Sequence, residues 1–252
     1  MEKTSALLTV DAEGFSTHRD VDQPRLHIEM RRAVDAACAS SGLDAQWAEI
    51  PFKESTGDGL LAVLPRETIP DLVDRFPARL QDILASMGRR LRGDGLSLRL
   101  RVALHEGLVD DDRPGAPGIS AATTEVCRIV DGVPLRDALT TSDPHVTYTA
   151  FAVSREIFGP YIQGGRTDLR ESQFDPVEIT VKGVSRPAYL RVPVPSRRLD
   201  PPPAPEETPP APASHPAPAP GHISLNDVKV RGDNSQNVIG SHVAGSVHQI
   251  RS

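Results

Sequence analysis

Aromatic side chains make up only 4% of the 252 residues, so a core must be built from Leu, Val, Ile and Ala. Cysteine is nearly absent. Cys38 and Cys127 both fall in segments with helical spacing, which excludes a disulfide framework and predicts reduced, buried thiols in a cytoplasmic protein. Long apolar runs are missing too. No stretch approaches the roughly 18 apolar residues of a membrane-crossing helix, so no membrane partner is expected. Residues 1–10 are too short and too weakly apolar for a secretory leader. Basic excess is also lacking. Lys and Arg number 28 against 34 Asp and Glu, a formal charge of -6, which argues against nucleic-acid binding. No interpretable Ser/His/Asp order, zinc-ligand spacing or Gly-x-x-x-x-Gly-Lys loop is present.

Proline is plentiful, and its distribution divides the chain. Of 24 prolines, many crowd into Pro201–Pro220. Such a run supports neither helix nor central strand, because each proline lacks a backbone donor and fixes φ. The expected organisation is a globular domain over 1–195, a disordered Pro-rich linker over 196–222 acting as an extended spacer, and a short tail over 223–252. In the tail Val228, Val230, Val238, Val243, Val247 and Ile250 recur with a period near two among Gly, Asn, Ser, Gln and His. Low charge and amide side chains that can ladder suit stacking with like segments. A disordered polar tail is the alternative.

Within 1–195, strand and helix signals alternate. Residues 6–10 read as a buried strand. Leu26, Met30, Val34, Ala37 and Cys38 share a helix face that Gly42 can end. Residues 46–53 and 60–64 read as strands flanking a turn at Thr56-Gly57-Asp58-Gly59. Apolar residues from Ile69 to Leu91 mark a long helix that Pro77 should kink or split. Residues 96–104 alternate like a half-buried strand, with Arg99 and Arg101 on its polar face. Residues 119–139 read as a helix broken near Gly132, and 147–153, 177–181 and 188–192 as further strands. Hairpin-joined strands mixed with helical crossovers predict an α+β fold, a ferredoxin-like βαββαβ sandwich.

Two acids stand out by position. Asp11 ends the first strand and Asp58 sits in the hairpin turn. If those strands are neighbours, both carboxylates emerge at one end of the sheet, where Mg²⁺ or Mn²⁺ could bind between protein carboxylates and phosphate oxygens. The plainer readings are a strand-ending Asp that caps or turns and an ordinary Gly-Asp-Gly hairpin.

The order of these segments resembles the class III adenylyl/guanylyl cyclase catalytic domain. Val10-Asp11-Ala12-Glu13-Gly14-Phe15 is similar to the family's Asp-x-x-Gly-Phe, and Thr56-Gly57-Asp58-Gly59 to its second metal-binding turn. Residues 101–107, with Arg101, His105 and Gly107, are similar to its Arg-x-Gly-x-His-x-Gly strand. Gly118-Ile119 through Arg128-Ile129 fit the frame of its Gly-x-x-Val-Asn-x-Ala-x-Arg helix, and Val181-Lys182-Gly183-Val184 its late Lys-Gly. The likeness spans residues 5–194. It implies that Asp11, Asp58 and the Ala12 carbonyl hold Mg²⁺ or Mn²⁺, that Arg128 and Lys182 serve the triphosphate of a purine nucleoside triphosphate, and that a homodimer completes the site. Separately, residues 232–241 resemble the amyloid-type signalling motifs of bacterial effector proteins, which implies a protein partner for 223–252.

This sequence also departs from the family. Where the family has asparagine, Thr124 offers no amide. Glu125 would repel a polyphosphate if it faced one. Glu54 stands at the base-reading position and resembles guanylyl cyclases, whereas Lys53 is one residue off the adenylyl position and so on the opposite strand face. His105 reads as a core or supporting histidine, and Arg89, Arg90 and Arg92 as a solvated helix end. Together these features predict a degenerate cyclase-like signalling domain that binds nucleotide with weak or no turnover. The alternatives are a noncatalytic oligomerising module, an active guanylyl or adenylyl cyclase, or another metal-dependent phosphotransfer on the same fold.

Overall fold

Residues 6–10 are buried on both faces because β1 (Lys3–Ala12) is a central strand. It lies between β3 (Gly59–Pro65) and β4 (Leu100–Val109) and is antiparallel to both. The computed structural model describes residues 2–50, 53–55, 57–110, 115, 118–181 and 183–198. The expectations for Lys182, for most of the Pro-rich linker and for the tail lie outside the described residues.

With β2 (Lys53–Ser55), β5 (Thr149–Ser154), β6 (Asp175–Val181) and β7 (Val184–Arg191), the strands form one seven-stranded sheet in the order β2-β3-β1-β4-β5-β7-β6. The β2-β3-β1-β4 part is the ferredoxin-like half. β5 runs parallel to β4, which requires a crossover connection, and β6 and β7 form the closing hairpin.

One face of the sheet carries α1 (Gln23–Ser40), α3 (Ile69–Asp74) and α4 (Phe76–Gly93) over Ala6, Leu8, Val10, Ala62 and Leu64. The other carries α5 (Ala121–Val130) and α6 (Val133–Thr140) over Leu7, Leu61, Val63 and Ala103. Proline sets several helix starts. Pro24, Pro77 and Pro134 each occupy the first turn of their helix, where a missing N–H costs nothing. Pro77 thereby splits the predicted long helix into α3 and α4.

Three expectations need correction. Residues 46–50 are not a strand. The short helix α2 (Asp44–Ala48) buries Trp47 against the core, with the indole Nε1–H donating to Asp35 at 2.7 Å, and β2 keeps only three residues. β4 is not half-buried either. Val102, Ala103 and Leu104 are all buried, because α5 covers the supposed polar face. Gly107 permits that approach, since a Cβ there would lie 2.5 Å from the Ala122 Cβ. Finally, the arginines ending α4 are not merely solvated. Arg90 donates to Glu29 of α1 at 2.8 and 3.2 Å, and Arg92 to the Tyr148 hydroxyl at 2.8 Å.

Both cysteines are free. Cys38 is buried in α1, and burial pushes its thiol far above the usual range; Cys127 in α5 is partly covered and raised less. Because the thiolate is the reactive form, a colorimetric thiol reagent at pH 8 should label Cys127 slowly in the native protein. Cys38 should react only after denaturation. Two equally fast native thiols would contradict this placement.

Candidate nucleotide site

Strand register brings the predicted acids together. Asp11 lies opposite Gly59 of β3 on one side and Arg101 of β4 on the other. The Ala12 N–H donates to the Asp58 carbonyl at 3.0 Å, which ties the hairpin turn to the end of β1. The turn needs Gly57, whose φ is +94°, a conformation costly for any residue with a Cβ. Asp58 is exposed at its tip and Ala12 is buried.

Strand side chains alternate between faces, so Asp11 shares the α5 face with Leu7. Glu54, exposed on β2, is paired with Leu61 and takes that face as well. Lys53 turns away, its ammonium 4.5 Å from the centre of the Trp47 ring. On the α5 face a cavity of about 480 Å³ is lined in part by Leu61, Thr124, Cys127, Arg128 and Asp131. Thus Asp11 and Asp58 meet at one end of the sheet, while Glu54, Thr124 and Arg128 lie on its α5 side.

The local bonding of each residue limits what it can do. Ser120 caps α5 in a reciprocal box with Thr123, at 3.1 and 2.9 Å. Thr124 donates its hydroxyl to the Ser120 carbonyl at 3.1 Å, so it presents neither an amide nor a free donor. Arg128 is partly exposed, with Nη1 3.6 Å from Glu125. Glu125 is also 3.5 Å from Arg186. It lines a second cavity, with His105 and Arg186, rather than the one holding Arg128.

Two residues to which the sequence reading gave no role in the site shape the electrostatics. Arg101 directs Nε, at 2.9 Å, and Nη2 onto the same Asp11 oxygen, Oδ2. Asp131, directly after α5, adds negative charge. Burial pushes the Asp11 carboxyl above its ordinary range; Arg101 pulls it down, and the charges of Asp58 and Asp131 push it up again. Alternation along β4 places Arg101 on the Asp11 face, but only the cross-strand register shows the pairing. The helix stop at Gly132 was the available signal for Asp131.

Clustered carboxylates are the hard oxygen donors that Mg²⁺ or Mn²⁺ prefers, and the crowding of Asp11 by two other acids is what a cation would relieve. The residues therefore fit a divalent ion, with Arg101 as its rival. Among the described residues no group of three or more His, Cys, Asp or Glu is arranged to hold a metal by itself, so substrate oxygens would have to complete the coordination.

Arg99 underpins this end of the sheet. Its guanidinium is buried and donates to the Thr147 and Leu139 carbonyls, the Ser142 hydroxyl and Glu13, at 2.6 to 2.9 Å. It joins the segment after Asp11 to the end of α6.

His105 is buried farther along β4. Its Nδ1 is 2.9 Å from the Ser154 hydroxyl and 3.5 Å from Glu156. Burial lowers its pKa below the ordinary 6.5, against the opposing pull of Glu156, Glu125 and Glu106. The unfolded chain therefore takes up this proton first, and stability should fall as pH drops below about 6.5 toward the lower folded value. Urea midpoints measured from pH 7.5 to 5.5 should fall more for the native protein than for His105→Gln. Parallel profiles would contradict a neutral, buried His105.

No protein-family model and no curated protein matches this sequence. Solved structures do. A bacterial light-regulated adenylyl cyclase superposes with a TM-score of 0.50 at 12% identity, over 77% of this chain and 93% of that one. The guanylyl cyclase Cya2 gives 0.48 at 17% identity, over 75% and 91%. The adenylyl cyclase CyaB from P. aeruginosa gives 0.48 at 14% identity, over 79% and 97%. The fold is that of the class III nucleotidyl cyclase domain, and at these identities the likeness is one of fold. Among the described residues no helix is long and apolar enough to cross a membrane.

Proposed function

We propose, from the cyclase fold as premise, that this chain is a cytoplasmic signalling protein whose globular domain binds a purine nucleoside triphosphate with Mg²⁺ or Mn²⁺ and turns it over slowly or not at all. The carrying observation is the convergence of Asp11 and Asp58 at one sheet end, with Glu54 on the neighbouring edge strand. Asp11, Asp58 and the Ala12 carbonyl would hold the ion. When bound, it would favour deprotonation of the 3′-hydroxyl and stabilise the pyrophosphate leaving group.

This chain's own side chains supply the remaining functions. Glu54 would accept from the N–H edge of guanine. Arg128 and Lys182 would meet the phosphates, in a homodimer that sets the helix of one copy against the acids of the other. Thr124, bonded back to Ser120, supplies no amide to orient the ribose. Losing one donor aimed at developing charge costs about 10²–10³ in rate, which supports a nucleotide-binding pseudoenzyme over an efficient cyclase. The 223–252 tail would then carry the nucleotide-dependent state to a protein partner.

A second reading, a noncatalytic oligomerising module, draws support from Arg101, which already neutralises Asp11. Incubating the full chain with Mn²⁺ and each nucleoside triphosphate, with binding heat and cyclic product both recorded, separates the readings. Heat with little product fits the proposal. Rapid product makes the protein an active cyclase, and neither heat nor product leaves the interaction module.

A further inference from the structure

We propose that the sheet carries an unfilled strand position between β4 and β7, and that an extended, uncharged segment of a partner protein binds there as an added strand.

The gap follows from the register. β5 pairs with β4 only from Leu100 to Leu104 and with β7 only from Ala188 to Arg191. After Ser154 the chain leaves the sheet in a short helical turn, α7 (Arg155–Ile157), and buries Ile157 in the core beneath α1 and α4. Residues 106–109 of β4 and 184–187 of β7 run on without it. Strands lie about 4.8 Å apart, so β4 and β7 stand about two spacings from each other, with room for one strand between. Residues 106–109 pair with β1 and residues 184–187 with β6. Among the described residues, no hydrogen bond takes the main chain of either stretch into the space between them.

A cavity of about 470 Å³ occupies this space, and its walls come from both faces of the sheet. Strand alternation puts Gly107 and Arg186 on the α5 face with Ala103 and Ala188, and Leu108 and Pro187 on the other face with Leu104 and Tyr189. A surface groove would be lined from one face alone. His105, bonded to Ser154, closes the inner end.

The surrounding charges decide what fits. Glu106 pairs with Arg66, Glu125 lies 3.5 Å from Arg186, and Arg155 and Glu156 are neighbours of opposite sign on α7. With the signs balanced, a free anion or cation gains little here. An extended backbone carries no net charge and can bond to main chain on both sides, whereas the outer strands β2 and β6 offer one side each. Leu108 and Val184, 57% and 42% exposed, favour apolar side chains on the incoming strand. The position lies at the far end of β4 from Arg101 and Asp11, so it is separate from the proposed nucleotide site.

Amide hydrogen exchange of the ¹⁵N-labelled full chain tests this with one defined probe, acetyl-Thr-Val-Thr-Val-Thr-amide. Main-chain pairing supplies the affinity, so an uncharged alternating peptide suffices. In the free protein the gap-facing amides of residues 106–109 and 184–186 should exchange quickly. Saturating peptide should slow both sets. The same peptide with alternate nitrogens methylated loses its donors to one edge and should bind at least about tenfold more weakly. Ala121→Trp, at an exposed position on the cavity wall, should abolish the protection without lowering the melting temperature. Should that variant fail to fold, the methylated peptide on the native protein decides. Slow exchange at both edges before peptide is added means that the position is already filled, and overturns the proposal. So do an absence of protection at millimolar peptide, protection of β2 or β6 instead, and equal affinity for the methylated peptide. Inorganic phosphate that shifts these amides where the peptide does not makes the cavity an anion site, and overturns the proposal too.

Discussion

Arg99→Ala should destabilise the domain by about 3–5 kcal/mol, the range seen when one partner of a buried, hydrogen-bonded charge is removed. The substitution leaves the carbonyls of Thr147 and Leu139 and the Ser142 hydroxyl to find other partners, and it strips Glu13 of its cation. At about 2–4 °C per kcal/mol for a domain of this size, the melting temperature should fall by roughly 6–20 °C. Arg99→Lys should recover little, because one ammonium cannot span four acceptors on three segments. Differential scanning calorimetry of the three proteins checks this. A loss under 1 kcal/mol would mean that the clasp between the end of β1 and the end of α6 is not structural. The effect reaches the proposed site through Glu13, two residues from Asp11.

The second large effect concerns ligand rather than fold. Asp58→Asn should weaken Mn²⁺-dependent nucleotide binding by more than the roughly 10–100-fold that losing even an outer-shell partner costs a metal site. Asp58 is exposed at the turn, so the substitution should leave the melting temperature nearly unchanged. That separation distinguishes a ligand from a structural residue. Calorimetric titration of Mn²⁺ with GTP and with ATP, on the native chain and on Asp58→Asn, measures it. Unchanged affinity in a folded Asp58→Asn would remove the turn from the site.

Much of this architecture is legible in the sequence, for identifiable reasons. Strand alternation puts Lys53 and Glu54 on opposite faces, and Lys53 does lie over Trp47 while Glu54 turns toward the α5 side. Pro77 and Gly132 interrupt helical periods where α3 gives way to α4 and α5 to α6. What stayed hidden depends on contacts between distant segments. Residues 46–50 look strand-like until Trp47 finds Asp35 twelve residues earlier in the chain and folds its neighbours into α2. Arg101 looks solvent-facing until α5 covers its side of β4 and β1 presents Asp11 opposite it. An ion pair across two strands ninety residues apart is a matter of register, and local periodicity carries no information about register between remote strands.

The cyclase fold therefore sets the positions, while the side chains at those positions set the chemistry. On the proposed reading, Thr124 holds the site back from turnover, because it lacks the amide that would orient the ribose and its hydroxyl is bonded back to Ser120. The acids themselves remain, and a site that recognised nucleotide without consuming it would suit a signalling domain.

Adding Mn²⁺ and GTP together to the ¹⁵N-labelled full chain, and recording which backbone amides broaden by paramagnetic relaxation, tests where the ion sits. Broadening should centre on the amides of Asp11, Ala12, Asp58 and Gly59 and should fade along β4 toward His105. Broadening centred elsewhere, or an unchanged spectrum at millimolar ligand, would contradict a divalent nucleotide site at this end of the sheet.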